Sequence, residues 1–258
     1  MELGLAGKLA VVTGASKGIG LAVTRALVAE GAHVVAGARG SSPELLELSD
    51  VHSVEVDLST ATGPAQLIDA AREHGAIDVL VNNVGAVKPR LDGFLAVSDD
   101  DWLASLTLTF MAAVRTTRAA LPDMLAARRG TIVNVASVNA FLPDPAVIDY
   151  SAAKAALTNF TKALSQELGP KGIRVNSVSP GPVSTGLWLG NDGVAATLAR
   201  SQGGEPQAVA DAAAGQMATG RFTTPEEVAD LVVLLAGDRA GNVTGSDFMI
   251  DGGLVKTL

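Results

Sequence analysis

Cysteine is absent from the 258 residues, which excludes disulfides and thiolate metal sites and fits a reducing compartment. Aromatic residues are scarce at 3%, and tyrosine occurs once, as Tyr150. With 48% hydrophobic residues the chain still has material for a sizeable core, which Ala, Val, Leu and Ile must build. Basic residues are outnumbered, 19 against 27 acidic ones, for a formal charge of −8. No basic stripe offsets that balance, so nucleic acid is excluded as a partner. No apolar run reaches the roughly 20 residues of a membrane span. The opening MELGLAGKLAVVTG has neither the basic flank nor the apolar stretch of a secretory leader. Together these absences predict a soluble cytoplasmic globule with no membrane partner. The three histidines, His33, His52 and His74, lack ligand spacing and read as structural, so no metal site is expected.

What is present alternates. Strand-like runs fall at Leu9–Thr13, His33–Gly37, Ser53–Asp57, Val79–Asn82, Thr131–Ser137, Arg174–Ser179 and Phe248–Ile250. Ala- and Leu-rich stretches of helical period separate them, as in GIGLAVTRALVAEG, where Ile19, Val23, Ala26 and Leu27 share a face and Gly31 supplies a stop. Strands alternating with helices predict βαβ units and a parallel sheet covered on both faces. In TTPEEVADLVVLLAG, Thr224 is the expected N-cap, Pro225 the first helical residue, Glu227 the second half of a capping box and Gly237 the end. No repeat or low-complexity linker interrupts the chain, so residues 1–258 read as one domain, with 8–100 mainly binding dinucleotide. The less orderly stretch Gly186–Gly220, with an Ala-rich helix inside, reads as a substrate lid.

The first strand runs into Gly14-Ala15-Ser16-Lys17-Gly18-Ile19-Gly20 and then a helix. Glycines there let the backbone approach a pyrophosphate, which the helix N-terminus attracts with free N–H groups and partial positive charge. The spacing is G-x-x-x-G-x-G, not the commoner G-x-G-x-x-G. After the second strand comes Gly37-Ala38-Arg39, with no acid for the ribose hydroxyls. Arg39, with Lys17 beside it, can instead hold a 2′-phosphate through its planar fork, which favours NADP(H) over NAD(H). Each cation read alone is also an ordinary solvated charge. Asp57 and Leu58 follow the third strand and are placed to fix an adenine edge; Asn82-Asn83-Val84-Gly85 follows the fourth, where a dinucleotide crosses the sheet.

Tyr150 and Lys154 stand at i and i+4, on one helix face. A unit charge about 4 Å away, at an effective dielectric near 20, is worth about 4 kcal/mol. That corresponds to roughly three pKa units, enough to bring a phenol from about 10 to near neutrality for acid/base work. A bare Y-x-x-x-K occurs often by chance as an exposed pair. Ser137, thirteen residues earlier at a strand's carboxyl end, adds a group placed to hold a substrate oxygen.

These motifs resemble the classical short-chain dehydrogenases/reductases along nearly the whole chain. The resemblance rests on Thr13-Gly-x-x-x-Gly-Ile-Gly20, Asn82-Asn-Val-Gly85, Ser137, Tyr150-x-x-x-Lys154, Pro180-Gly-x-x-x-Thr185 and Asp251-Gly-Gly253. It implies an α/β Rossmann fold with a doubly wound, seven-stranded parallel sheet, and a homo-oligomer, tetramer or dimer. It also implies hydride transfer between a nicotinamide and a small-molecule carbonyl or secondary alcohol. By that likeness Tyr150 is the acid/base, Ser137 orients the substrate oxygen, and Lys154 lowers the tyrosine pKa and holds the nicotinamide ribose. Cofactor contacts then fall on Gly14, Ser16, Lys17, Gly18, Ile19, Gly20, Arg39, Asp57, Leu58, Asn83 and Gly85. Further along, Pro180, Gly181, Val183 and Thr185 join them, the last two toward the carboxamide and phosphates.

One position departs from the family pattern. The relay asparagine expected seven residues after Trp102 is Thr109 here. Its hydroxyl either bonds back to the Ser105 carbonyl, as mid-helix threonines do, or anchors a displaced relay water. Two alternatives to a general carbonyl reductase remain. One is a 3-oxoacyl-acyl-carrier-protein reductase, with Arg128, Arg129 and Lys171 as docking cations or merely as helix-end charges. The other is a nucleotide-binding homologue with weakened catalysis. Substrate choice is expected from Leu187–Met217 and the Lys88–Val97 loop.

Overall fold

Short β-branched runs become strands, and their order along the chain sets the topology. A computed structural model describes residues 2–257. Its strands are β1 (Leu9–Thr13), β2 (His33–Ala38), β3 (Val51–Glu55), β4 (Ile77–Asn82), β5 (Gly130–Val135), β6 (Ile173–Pro180) and β7 (Asp247–Ile250). The helices between them are α1 (Gly18–Ala29), α2 (Pro43–Leu46), α3 (Gly63–Arg72), α4 (Asp99–Leu106), α5 (Ala112–Ala127) and α6 (Ile148–Leu168). Then come α7 (Gly186–Leu189), α8 (Val194–Gln202), α9 (Pro206–Ala214) and α10 (Pro225–Ala236).

All seven strands pair in parallel, in the order β3-β2-β1-β4-β5-β6-β7. The order reverses between β1 and β4. In such sheets ligands bind beyond the strands' carboxyl ends at that switch point. Side chains of alternate strand positions feed two cores. Ala10 and Val12 join Val23, Leu27, Val228 and Val232 of α1 and α10 on one face. Leu9 and Val11 join Leu67, Ile68, Ala120 and Met124 of α3 and α5 on the other. Burial of each such Val or Leu contributes about 1.5–3 kcal/mol, so both helical layers are held firmly.

Local signals explain most boundaries. The Thr224–Glu227 capping box forms, with Pro225 in the first turn and Gly237 beyond the end of α10. Gly31 adopts φ +81°, which only glycine tolerates freely at that turn. Three expectations need correction. β3 runs from Val51 to Glu55 rather than to Asp57, because its ladder with β2 stops at the Ala38–Glu55 pair. β5 ends at Val135, so Ser137 lies beyond the strand, where its hydroxyl accepts from the Asn139 N–H as an N-cap. Residues 186–220 are not mainly irregular, since they form the three helices α7, α8 and α9.

Candidate active site

A cavity of about 1270 Å³ opens along the carboxyl ends of the strands. It exceeds the size of ordinary drug-like pockets and has room for a dinucleotide and a small substrate together. At one end lies the turn after β1. Gly14 and Gly18 have φ of +67° and +56°. Lys17, the N-cap of α1, makes no side-chain capping bond, and no acid occupies the first turn. The helix therefore presents its N–H groups and partial positive charge to the cavity without a competing carboxylate. A Cβ on Gly20 would lie 2.2 Å from the Gly14 carbonyl oxygen, so this glycine lets turn and helix close up. These features fit an anionic, pyrophosphate-bearing cofactor.

Gly14, Ser16, Lys17, Gly18 and Ile19 line the cavity, as do Arg39, Asp57 and Leu58 from the ends of β2 and β3. Gly20 does not; its part is packing. Lys17 and Arg39 are exposed. The Asp57 carboxyl is held below its usual range mainly by the Ser59 hydroxyl and N–H, and least by Arg39. Asn83 and Gly85 also line the cavity, but the Asn83 amide is engaged, donating to the Thr13 and Gly14 carbonyls at 2.9 and 3.2 Å. Asn82 is buried away from the cavity, donating to Thr117 and Asn134. Pro180, Gly181, Val183 and Thr185 complete the wall beyond β6. A Cβ on Gly18 would stand 3.3 Å from the Thr185 methyl, so the phosphate turn and this wall touch.

Ser137, Tyr150 and Lys154 line the same cavity at the end of β5. Burial pushes the Tyr150 phenol up to about 12, opposed by a hydrogen bond with the Ser137 side chain. Burial likewise pulls Lys154 down to about 7. Its Nζ donates to the Val135 carbonyl at 2.6 Å and lies 5.6 Å from the centroid of the Tyr150 ring. The near-neutral phenol expected from a lysine about 4 Å away is therefore not what this arrangement provides. Desolvation dominates, and the lysine charge is spent partly on a carbonyl.

Thr109 is 1% exposed and does not line the cavity. It sits in a π-helical stretch, Thr107–Met111, between α4 and α5, where the Ala112 N–H reaches the Thr107 carbonyl. The bond to the Ser105 carbonyl does not form; the wider turn displaces that acceptor, and the Thr109 hydroxyl has no partner. A Cβ on Gly85 would stand 3.6 Å from Lys154 Nζ and 3.8 Å from Thr109 Oγ1, so both groups face the space that Gly85 leaves open.

Sequence reading missed several cavity residues. Among these are Asn139 and Asp144, on the turns between β5 and α6, whereas Trp188, Gln202, Glu205 and Gln216 fall inside the expected stretch Leu187–Met217. Of Lys88–Val97 only Pro89 reaches the cavity, whereas Ala86 and Val87 just before it do. Turns of this kind carry no spacing signal. Among the described residues no cluster of three metal-ligating side chains occurs, and no helix is long and apolar enough to cross a membrane.

A parallel sheet with this switch point, a phosphate turn, and a Ser-Tyr-Lys group at one cavity together define an oxidoreductase of the short-chain dehydrogenase class. Residues 8–191 match the family model for short chain dehydrogenase, and the chain belongs to that family. The 3-oxoacyl-[acyl-carrier-protein] reductase FabG of Vibrio harveyi is 34% identical, with 98% of this chain and 99% of that protein aligned. The oxidoreductase UcpA of Escherichia coli K12 is 35% identical over 96% of this chain and 95% of its own. In structure, the L-sorbose reductase of Gluconobacter frateurii, complexed with NADPH and L-sorbose, superposes with a TM-score of 0.91 at 35% identity, covering 100% of both chains.

Proposed function

We propose that this protein reduces the carbonyl of a small hydroxylated ketone with NADPH, Tyr150 giving the proton. The observation that carries this reading is the meeting of Ser137, Tyr150 and Lys154 with the phosphate turn in one cavity. The nicotinamide cofactor, when bound, supplies the hydride. Ser137 donates a hydrogen bond to the carbonyl oxygen as its charge grows, and Tyr150 then transfers its phenolic proton to that oxygen. A phenol pushed upward in pKa holds its proton near neutral pH, which suits reduction. Lys154 would hold the ribose hydroxyls, and its charge favours the phenolate left behind. Thr109 anchors the water that returns a proton toward Lys154, in place of the usual asparagine; its unpartnered hydroxyl supports this role.

Arg39 and Lys17 at the adenosine end, with Ala38 where an acid would sit, support NADP(H) over NAD(H). The likeness to an NADPH-bound L-sorbose reductase adds to this. Asn139, Asp144, Gln202, Glu205 and Gln216 around the cavity favour a substrate rich in hydroxyls, and α7–α9 serve as its cover. We read residues 1–258 as one domain whose first hundred residues mainly hold the dinucleotide. Leu95, Leu103, Leu234 and Met249 are exposed and support a homodimer or homotetramer.

The likeness to FabG favours a second substrate, a 3-oxoacyl thioester on a carrier protein. Its expected docking cations are poorly placed. Arg129 pairs with Asp78 at 3.0 Å and Lys171 with Glu167 at 3.2 Å. Arg128 and Arg129 precede β5 at its amino end, a strand's length from Ser137. NADPH oxidation with ketoses, simple ketones and 3-oxoacyl thioesters separates the readings. Turnover best with ketoses supports the proposal; thioesters alone as substrates refute the substrate class, and no turnover with any refutes the enzyme reading.

A further inference from the structure

The charged side chains that line the cavity are sorted by position. Lys17, Arg39 and Asp57 follow β1, β2 and β3, in the half read as holding the dinucleotide. Beyond the switch point the lining charges are Lys154, Asp144 and Glu205. Lys154 is buried, and its Nζ is taken up by the Val135 carbonyl at 2.6 Å. That leaves the substrate half with two carboxylates and no free cation. The rest of its wall is apolar or amide, with Leu142, Leu187, Trp188 and Val209 beside Asn139, Gln202 and Gln216.

Both carboxylates are free to act on a ligand. Among the described residues neither forms an ion pair, and both side chains are exposed. Asp144 Oδ1 accepts from the Ala146 N–H at 2.8 Å, which fixes its place in the turn before α6 and keeps its charge. Glu205 is the N-cap of α9 and makes no side-chain capping bond. Its charge cancels the partial positive charge with which that helix end would attract an anion.

No neighbouring cation makes good the deficit. Arg200 on α8 lies 3.5 Å from Asp192, and Arg221 forks onto Glu227 at 2.6 and 2.9 Å. Arg90, its side chain 9% exposed, is held by Asp101 and Asp149, and Lys88 lies 3.6 Å from Asp101. Lys256 is exposed. None of these five lines the cavity.

We propose that Asp144 and Glu205 select the substrate by charge, so that the cavity takes neutral or ammonium-bearing ketones and turns away those with a carboxylate or phosphate. An anionic group there would lose water against an apolar wall, meet two like charges and find no cation. A hydroxyl donates to either carboxylate, and an ammonium gains their attraction as well. This inference rests on the reading of the site as a ketone reductase and narrows its substrate class.

The test uses three ketones of one length whose far end carries a hydroxyl, an ammonium or a carboxylate. With NADPH, kcat/KM for the ammonium compound should equal or exceed that for the hydroxyl compound, and the carboxylate should fall about tenfold or more below it. The phosphates of a bound cofactor also repel anions, so the variants Glu205→Gln and Asp144→Asn assign the effect to the chain. Each keeps an acceptor oxygen and removes one charge. Relative to the hydroxyl compound, each should raise the carboxylate about threefold and lower the ammonium compound, and the double variant should do so about tenfold. A merely structural role would lower all three alike. Unmoved ratios in the folded double variant overturn the proposal, and Glu205→Gln decides alone if the double variant does not fold. If none of the three is reduced, the reductase reading fails by itself. Their Kd values for the NADPH complex, measured by calorimetry, still report charge selection, and equal Kd for carboxylate and hydroxyl compounds overturns it.

Discussion

The Lys154 ammonium lies 5.6 Å from the centroid of the Tyr150 ring while its proton is given to the Val135 carbonyl at 2.6 Å. The pair is pushed in opposite directions by the same burial, the phenol up to about 12 and the amine down to about 7. Near neutral pH the phenol keeps its proton, and the lysine stands at its own titration point. The reduction rate should therefore be highest below about pH 7 and fall as pH rises through it, because Lys154 then loses the charge that supports phenolate. Alcohol oxidation, which needs the phenolate, should gain toward high pH. Initial rates in both directions across pH 5–10 test this; a reduction rate flat through pH 7 refutes it.

The same shift makes Lys154 costly to the fold. Its folded value of about 7 lies below the ordinary 10.5, so between those values the unfolded chain binds more protons and wild-type stability rises with pH. Below pH 7 the penalty is complete. Lys154→Met removes it but strands the Val135 carbonyl, for a net gain of about 1 kcal/mol at pH 6. Thermal unfolding without added nucleotide should show a higher Tm for the variant at pH 6, a gap that closes within about one unit above pH 7, and a lower Tm than wild type toward pH 10, where only the stranded carbonyl remains. A lower Tm at pH 6 contradicts the account.

Thr109→Val should separate activity from stability. The valine keeps the shape and removes a buried hydroxyl that has no partner. Stability should hold or rise by about 1 kcal/mol, while kcat falls about tenfold and KM for NADPH holds. Unchanged kcat across pH 6–9 would mean that protons reach Lys154 by another route.

Arg39→Ala should lower kcat/KM with NADPH by roughly ten- to a hundredfold, the worth of a charge-assisted bidentate contact, and leave NADH nearly unaffected. Steady-state kinetics with both cofactors decides it. Equal losses with NADH and NADPH would assign Arg39 a structural role.

What the sequence revealed followed from local rules. The phosphate turn, the capping box at Thr224 and the Tyr150–Lys154 spacing are each written within a few residues, so their places in the fold could be read directly. The run Thr131–Ser137 extends two residues past the end of β5, and nothing local marks that the ladder with β6 ends at Val135 and Val178. The π-helical turn around Thr109 left no trace in composition. Neither did the ion pairs of Arg90 with Asp101 and Asp149, whose members come from three separate segments and meet through tertiary packing. The depth of burial around Tyr150 was equally invisible, and it reversed the direction expected for its pKa. Cavity residues such as Asn139 and Asp144 lie on turns whose course depends on packing rather than on period.

The central claim is that the Tyr150 hydroxyl delivers the proton. Tyr150→Phe removes that oxygen and leaves the ring, the helix and the phosphate turn in place. NADPH titrated by its fluorescence should bind with an essentially unchanged Kd, while kcat for ketone reduction falls by a factor of 10²–10⁴, the usual worth of general acid catalysis. Retention of more than about a tenth of kcat, with binding intact, would show that another group is the proton donor.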